Sequence, residues 1–209
     1  MVSFALISLC FSTLYIACDL TKNNHKHWSI RINYYSFFIY IYYVLEYTIG
    51  SLGIPRPLIS LENWHHCIQP IPLRFWSDLQ SLYEIKGMNW EFWNYFKQPA
   101  YNILLLMPLG IYCPLLFGIK KLRYVAIVTF LISLLIEITQ LFISVSGLAR
   151  NDGARTIRTF DVDDLILNTL GGIIGFLAFK LIIKLWQSYF PNSLLQKALK
   201  RVRHSFFSS

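Results

Sequence analysis

The 209-residue chain reads as an all-α, polytopic transmembrane bundle of about five helices. Composition is the first reason. Hydrophobic residues make up 55% and charged residues only 14%, where a soluble domain carries roughly 25% charged residues. The second reason is the run of apolar stretches Val2–Ala17, Tyr34–Leu52, Tyr101–Ile119, Tyr124–Val145 and Leu165–Tyr189. Most of them reach the ~20 residues that cross a hydrocarbon core as helix. The third is the placement of basic residues. Lys22, Lys26 and Arg31, then Lys120, Lys121 and Arg123, then Lys180, Lys184, Lys197, Lys200, Arg201 and Arg203 fall on alternate sides of the helices. Those sides hold 12 of the 19 basic residues and one acid, Asp19. The positive-inside rule therefore puts the N-terminus outside and the C-terminus in the cytoplasm.

Residues 1–33 form the first helix and a basic cytoplasmic loop. No Lys or Arg precedes the apolar run, so it lacks the positive region of a signal peptide and is expected to be retained. The "YIACDL" around Cys18 resembles a lipoprotein cleavage site only faintly, because Tyr15 fits poorly. Residues 34–190 form the membrane domain, with four helices and an outer loop over 53–98. Trp64, Trp76, Trp90, Trp93, Tyr95 and Phe96 make that loop an aromatic belt, expected to lie along the interface as short amphipathic helices. His65-His66-Cys67 has no second ligand cluster at a recognised spacing, so no metal is expected. Cys67 alone of the four cysteines is clearly outside, and no intramolecular disulfide follows. Residues 191–209 are a basic tail. Its "KALKRVRH" suits anionic lipid headgroups rather than nucleic acid.

Polar residues inside the helices fall in one layer. Glu46 lies ~10 Å below the outer end of the second helix. Asn102 opens the third, Glu137 and Gln140 sit near the outer end of the fourth, and Asn168 lies one turn into the fifth. Intramembrane carboxylates are expensive and mark functional sites by default. Amides alone also serve as interhelical glue, and Glu46 alone could snorkel to the headgroups. Glu137 and Gln140 are three residues apart and share a face. Asp161, Asp164, Asn168, Gly171 and Gly175, spaced 3, 4, 3 and 4, form a stripe on one face of the fifth helix. Its glycines make a G-x-x-x-G seam, suited to an internal helix contact or to a dimer. Asp163 points elsewhere and caps the helix. Arg150, Arg155 and Arg158 stand just upstream, able to pair with these carboxylates or with a ligand phosphate or carboxylate.

"NILLLMPLG" (102–110), "SLLIEITQ" (133–140) and "RTFDVDDLILNTLGGIIG" (158–175) resemble, in order and spacing, the VanZ-like family of bacterial integral membrane proteins. The family's Asn-Leu-Ile-Pro-Phe element is matched only by Gln69-Pro70-Ile71-Pro72-Leu73. The resemblance implies a multi-pass protein of the bacterial plasma membrane, connected with the cell envelope and with resistance to teicoplanin-type glycopeptide antibiotics. It implies no reaction and no cofactor, and no Walker loop, G-x-S-x-G or H-E-x-x-H occurs.

Three function classes are open. One is a binding protein for an envelope precursor or lipoglycopeptide, with Asn102, Glu137, Gln140, Arg155, Arg158, Asp161, Asp164 and Asn168 as ligand-binding residues. A second is an enzyme on a lipid-linked, phosphate-bearing substrate, with Glu137 or Asp164 as acid/base. A transporter is least favoured, because the chain is short and has no internal repeat.

Overall fold

The computed structural model describes residues 2–21, 28–52, 67–146 and 159–189. Within them the chain forms six helices: α1 (Phe4–Thr21), α2 (Trp28–Thr48), α3 (Arg74–Lys86), α4 (Trp90–Leu116), α5 (Leu122–Val145) and α6 (Val162–Tyr189). Four two-residue strands join them at loops: β1 (Val2–Ser3), β2 (Ser51–Leu52), β3 (Ile68–Gln69) and β4 (Phe160–Asp161). Among the described residues, α4, α5 and α6 are long and apolar enough to cross a membrane. The helices α1 and α2 have 18 and 21 residues.

α4 begins earlier than its apolar run predicts. Hydropathy places the start at Tyr101, yet the helix starts at Trp90, where Asn89 accepts the Phe92 N–H at 2.9 Å as N-cap. The polar stretch through Lys97 and Gln98 hides this extension from any hydropathy reading. Part of the aromatic belt, Trp90, Trp93 and Phe96, therefore stands exposed on the first turns of α4. A separate amphipathic helix, α3, exposes Trp76 and Ile85 and buries Leu79. α4 also carries Pro99, Pro108 and Pro114 inside it. Each removes a backbone donor, which a membrane helix tolerates when neighbours bond the freed carbonyls. Tyr40 of α2 donates to Leu105 O at 2.8 Å, a bond between the helices one turn before Pro108 and next to the Leu104 carbonyl that Pro108 leaves free.

α1 and α2 form an antiparallel hairpin closed at both ends. At one end β1 pairs with β2, Val2 opposite Leu52 and Ser3 opposite Ser51. At the other, Arg31 Nε lies 3.2 Å from the Asp19 carboxylate, and Tyr35 donates to the same group at 3.0 Å. Both members of the ion pair are buried.

α4 and α6 share the largest helix interface. A Cβ placed at Gly171 would fall inside the Ile103 carbonyl, and one at Gly175 inside the Met107 carbonyl. The G-x-x-x-G seam therefore serves an internal contact, with α4. Gly172, one position round, lies against Thr129 of α5. Val44, Leu106, Leu109, Cys113, Val125, Ile136 and Phe176 fill the core between α2, α4, α5 and α6.

These contacts gather the ends of α2 and α5 and the beginnings of α1, α4 and α6 at one pole of the bundle. The Asp19–Arg31 pair and the turn with Lys120, Lys121 and Arg123 occupy the other pole.

Overpacking a well-packed contact costs about 1–3 kcal/mol, and more where backbone must move. Gly171→Leu and Gly175→Leu are each expected to cut the amount of folded protein severalfold. Size-exclusion chromatography of a fluorescent fusion in detergent measures this, and Leu135→Ala on the exposed face of α5 should leave the profile unchanged.

Candidate functional site

The pole where α4 and α6 begin carries a dense set of polar side chains. Its foundation is a two-residue parallel ladder, with Ile68 opposite Phe160 and Gln69 opposite Asp161. The ladder draws the segment before α3 onto the start of α6. Gln69 then knots that segment. Its Oε1 accepts the Ile71 N–H at 2.6 Å, and its Nε2 donates to Ile71 O at 2.9 Å and to the Asp161 carboxylate at 3.1 Å.

Two carboxylates act as clamps. Glu137 of α5 is 1% exposed and accepts the Asp161 N–H at 3.0 Å. Asp163 is 3% exposed and accepts the N–H groups of Leu73 and of Phe75, the latter at 2.9 Å. Asp163 thus caps α3, a helix about ninety residues earlier in the chain, instead of its own. Leu73 sits at φ 60°, a left-handed conformation that costs a non-glycine residue of order 1 kcal/mol and persists only when its surroundings hold it. The Asp163 carboxylate supplies that hold, receiving the first free donors of α3 where the helix dipole favours negative charge.

Asp164 and Asp161 do something else: they face open space. Asp164 accepts a hydrogen bond from Asn102 Nδ2 across the α4–α6 interface. Asp161 accepts the Asp163 N–H at 2.8 Å as well as the Gln69 amide. A cavity of about 560 Å³ lies in front of them, with Tyr47, Asn94, Lys97, Gln98, Tyr101, Asn102, Gln140 and Thr159 on its walls. A smaller recess of about 130 Å³ opens on the other side, lined by Arg74, Asp78 and Tyr95. Gln98, Asp161 and Asp164 border both. Arg74 is taken up by Asp78 at 3.6 Å, and Tyr95 donates to Asp78 at 3.0 Å. Lys97 donates to Asn94 at 3.1 Å. Among the described residues, no lysine or arginine pairs with Asp161 or Asp164.

The expected site residues divide accordingly. Asn102, Gln140, Asp161 and Asp164 line the larger cavity. Gln140 also donates to Thr48 O at 2.9 Å, tying α5 to the end of α2. Glu137 and Asn168 line neither space. Asn168, 1% exposed, donates to Ser133 of α5 at 3.0 Å, an interhelical bond. The five-residue stripe shortens, because Asp161 lies in β4 ahead of α6. Glu46 is exposed and takes no part in the cavity wall. Arg150, Arg155 and Arg158 lie outside the described residues, as do His65 and His66; Cys67 is buried.

Gln69, Lys97, Tyr47 and Tyr101 join the site without a signal that sequence reading used. The first signal was available, since Gln69 begins the imperfect match to the family element. Lys97 falls in the 53–98 stretch that the sequence presents as a loop, where a charge is unremarkable.

Burial raises the Asp161 carboxyl above its ordinary value of 3.8, and the negative charge of Asp163 adds to the rise; the bonds from the Asp163 N–H and Gln69 and the charge of Arg74 oppose it. A raised carboxyl binds its proton more readily in the folded state than in the unfolded one. Its ionisation therefore costs stability at neutral pH, and the cost disappears as pH falls through the folded-state pKa toward 3.8. Asp161→Asn is expected to be more stable relative to wild type at pH 7 than at pH 4.5, as read by melting temperature in detergent. For the clamp, Asp163→Ala leaves two amides without their acceptor, at about 1–3 kcal/mol. Hydrogen exchange should accelerate at Leu73 and Phe75 while the middle of α6 stays protected.

No curated protein and no solved structure matches the chain. The VanZ/LLP1 family matches it over residues 37–184, a span running from α2 to the last turns of α6. It includes both clamps, the ladder and the carboxylates that face the cavity. The chain belongs to the VanZ/LLP1 family.

Proposed function

We propose that this protein is a multi-pass protein of the bacterial plasma membrane whose outer-leaflet cleft binds the amine-bearing head of an envelope molecule. In this reading α1, α2, α4, α5 and α6 all cross the bilayer. The basic pole, with Lys120, Lys121 and Arg123, faces the cytoplasm by the positive-inside rule. The pole bearing Asp161 and Asp164 then faces outward, with α3 lying along the interface.

The observation that carries the proposal is the pair Asp161 and Asp164, held by neutral donors and open to a space of about 560 Å³. A carboxylate half-sheltered from water, with no paired cation among the described residues, gains from an incoming ammonium group through a charge-assisted bond. Tyr47 and Tyr101, with ring centroids 6.3 Å apart, add two aromatic faces at the same wall, where a cation is also attracted. An amine-bearing envelope precursor or a teicoplanin-type lipoglycopeptide meets this requirement, and binding one at the outer surface would connect the protein to glycopeptide resistance.

Binding is favoured over catalysis because Glu137 spends its carboxylate on a backbone N–H behind the wall. Glu137 lines neither space, so the Glu137–Asp164 acid/base pairing does not meet at the cavity.

Two outcomes test the reading. A cysteine at Ser146 should react with an impermeant maleimide in intact cells, and one at Lys120 should not; the reverse pattern would invert the topology. Asp161→Asn with Asp164→Asn should abolish teicoplanin tolerance conferred by the protein while its membrane abundance stays at the wild-type level. Full tolerance in that double variant would sink the site.

A further inference from the structure

A second space lies deeper in the bundle, one to two turns below the polar cleft. On α2, Tyr47 borders the cleft and Val44, one turn deeper, borders that second space. On α4 the same step leads from Asn102 to Leu106, and on α5 two turns lead from Gln140 to Ile132. The second space is a groove of about 330 Å³ with purely apolar walls, apart from Tyr40, and it runs down to Phe37 and Phe117. The Tyr40 hydroxyl is already engaged with Leu105 O, so it leaves no polar demand in the groove. Phe117 at the far end is 52% exposed.

Tyr47 to Phe37 spans ten residues of helix, about 15 Å. That is half of a ~30 Å hydrocarbon core, or the depth of one leaflet. The cleft above holds two carboxylates on one wall and Lys97 on another. Head and groove together have the shape and polarity of a membrane lipid with a zwitterionic head. A primary ammonium offers three donors to Asp161 and Asp164, and a phosphate meets Lys97.

We propose that the site is a seat for a phosphatidylethanolamine-class lipid, its amine on Asp161 and Asp164, its phosphate at Lys97 and one acyl chain in the groove lined by Ile41, Val44, Leu106 and Val128. The inference rests on the amine-binding reading of the cleft and adds the acyl chain and the lipid class. A quaternary head offers no N–H donor, and phosphatidylglycerol offers no cation, so both fit the cleft less well.

Native mass spectrometry of the detergent-purified full chain tests it, with dioleoyl-phosphatidylethanolamine, dioleoyl-phosphatidylglycerol and soluble O-phosphoethanolamine as probes. Wild type is expected to retain the ethanolamine lipid about tenfold more tightly than the other two, a factor worth about 1.4 kcal/mol. Ile41→Phe and Val128→Phe narrow the groove from two different helices and should each lower retention about tenfold, while Leu135→Phe on the exposed face of α5 changes nothing. O-phosphoethanolamine binding wild type as tightly as the lipid would overturn the acyl seat and leave the amine cleft standing. Unchanged lipid retention in folded Ile41→Phe and Val128→Phe would do the same. Equal retention of both lipids by wild type and by Asp164→Asn would overturn the cleft as well.

Discussion

The backbone of α6 lies directly on the backbone of α4, and the position of nearly every other group follows from that contact. In hydrocarbon the helices gain nothing by hiding apolar surface from lipid, so close van der Waals approach must hold them together. Gly171 and Gly175 permit it by placing no side chain between α6 and the carbonyls of Ile103 and Met107. With α4 fixed on one side of α6 and Thr129 of α5 against Gly172 on another, the first turn of α6 has a single orientation. Asp164 meets Asn102, Asn168 meets Ser133, and Asp163 turns toward the start of α3.

Charge at this pole is divided between building and display. Burying a carboxylate is costly unless donors replace its water. Glu137 and Asp163 have their cost offset by backbone N–H groups of chain segments that would otherwise be loose: the strand before α6 and the turn before α3. Those two acids convert loop backbone into a defined rim. Asp161 and Asp164, mounted on the rim, are bonded on one side by amides and left open on the other. The arrangement supplies an anionic wall whose geometry is set by the chain's own contacts.

The coarse architecture was legible because apolar runs of membrane length leave little choice, and α5 and α6 begin and end close to where hydropathy puts them. The polar layer was legible too, since Glu137, Gln140, Asp164 and Asn168 are each out of place in lipid. Their division of labour was not. Nothing in the spacing of Glu137 tells that it bonds a backbone amide 24 residues later in the chain. Asp163, one residue from Asp164, points away from its own helix dipole because a helix start elsewhere offers two donors. Pairings across such separations are decided by tertiary contacts, which periodicity does not carry. The early start of α4 was hidden for a local reason, since Asn89 caps a stretch too polar to register as a span.

The double closure of the α1–α2 hairpin lets its two charged residues satisfy each other. Arg31 on α2 would be costly to bring into a bilayer alone, as would Asp19 on α1. Paired at 3.2 Å, with Tyr35 bonded to the same carboxylate, they neutralise each other. The β1–β2 pairing satisfies backbone groups at the opposite end. The two helices are therefore tied to each other at both ends by their own groups. α2 presents Tyr40 and Val44 to the core it shares with α4. The cleft, by contrast, is incomplete without α6, the last of the described helices in the chain.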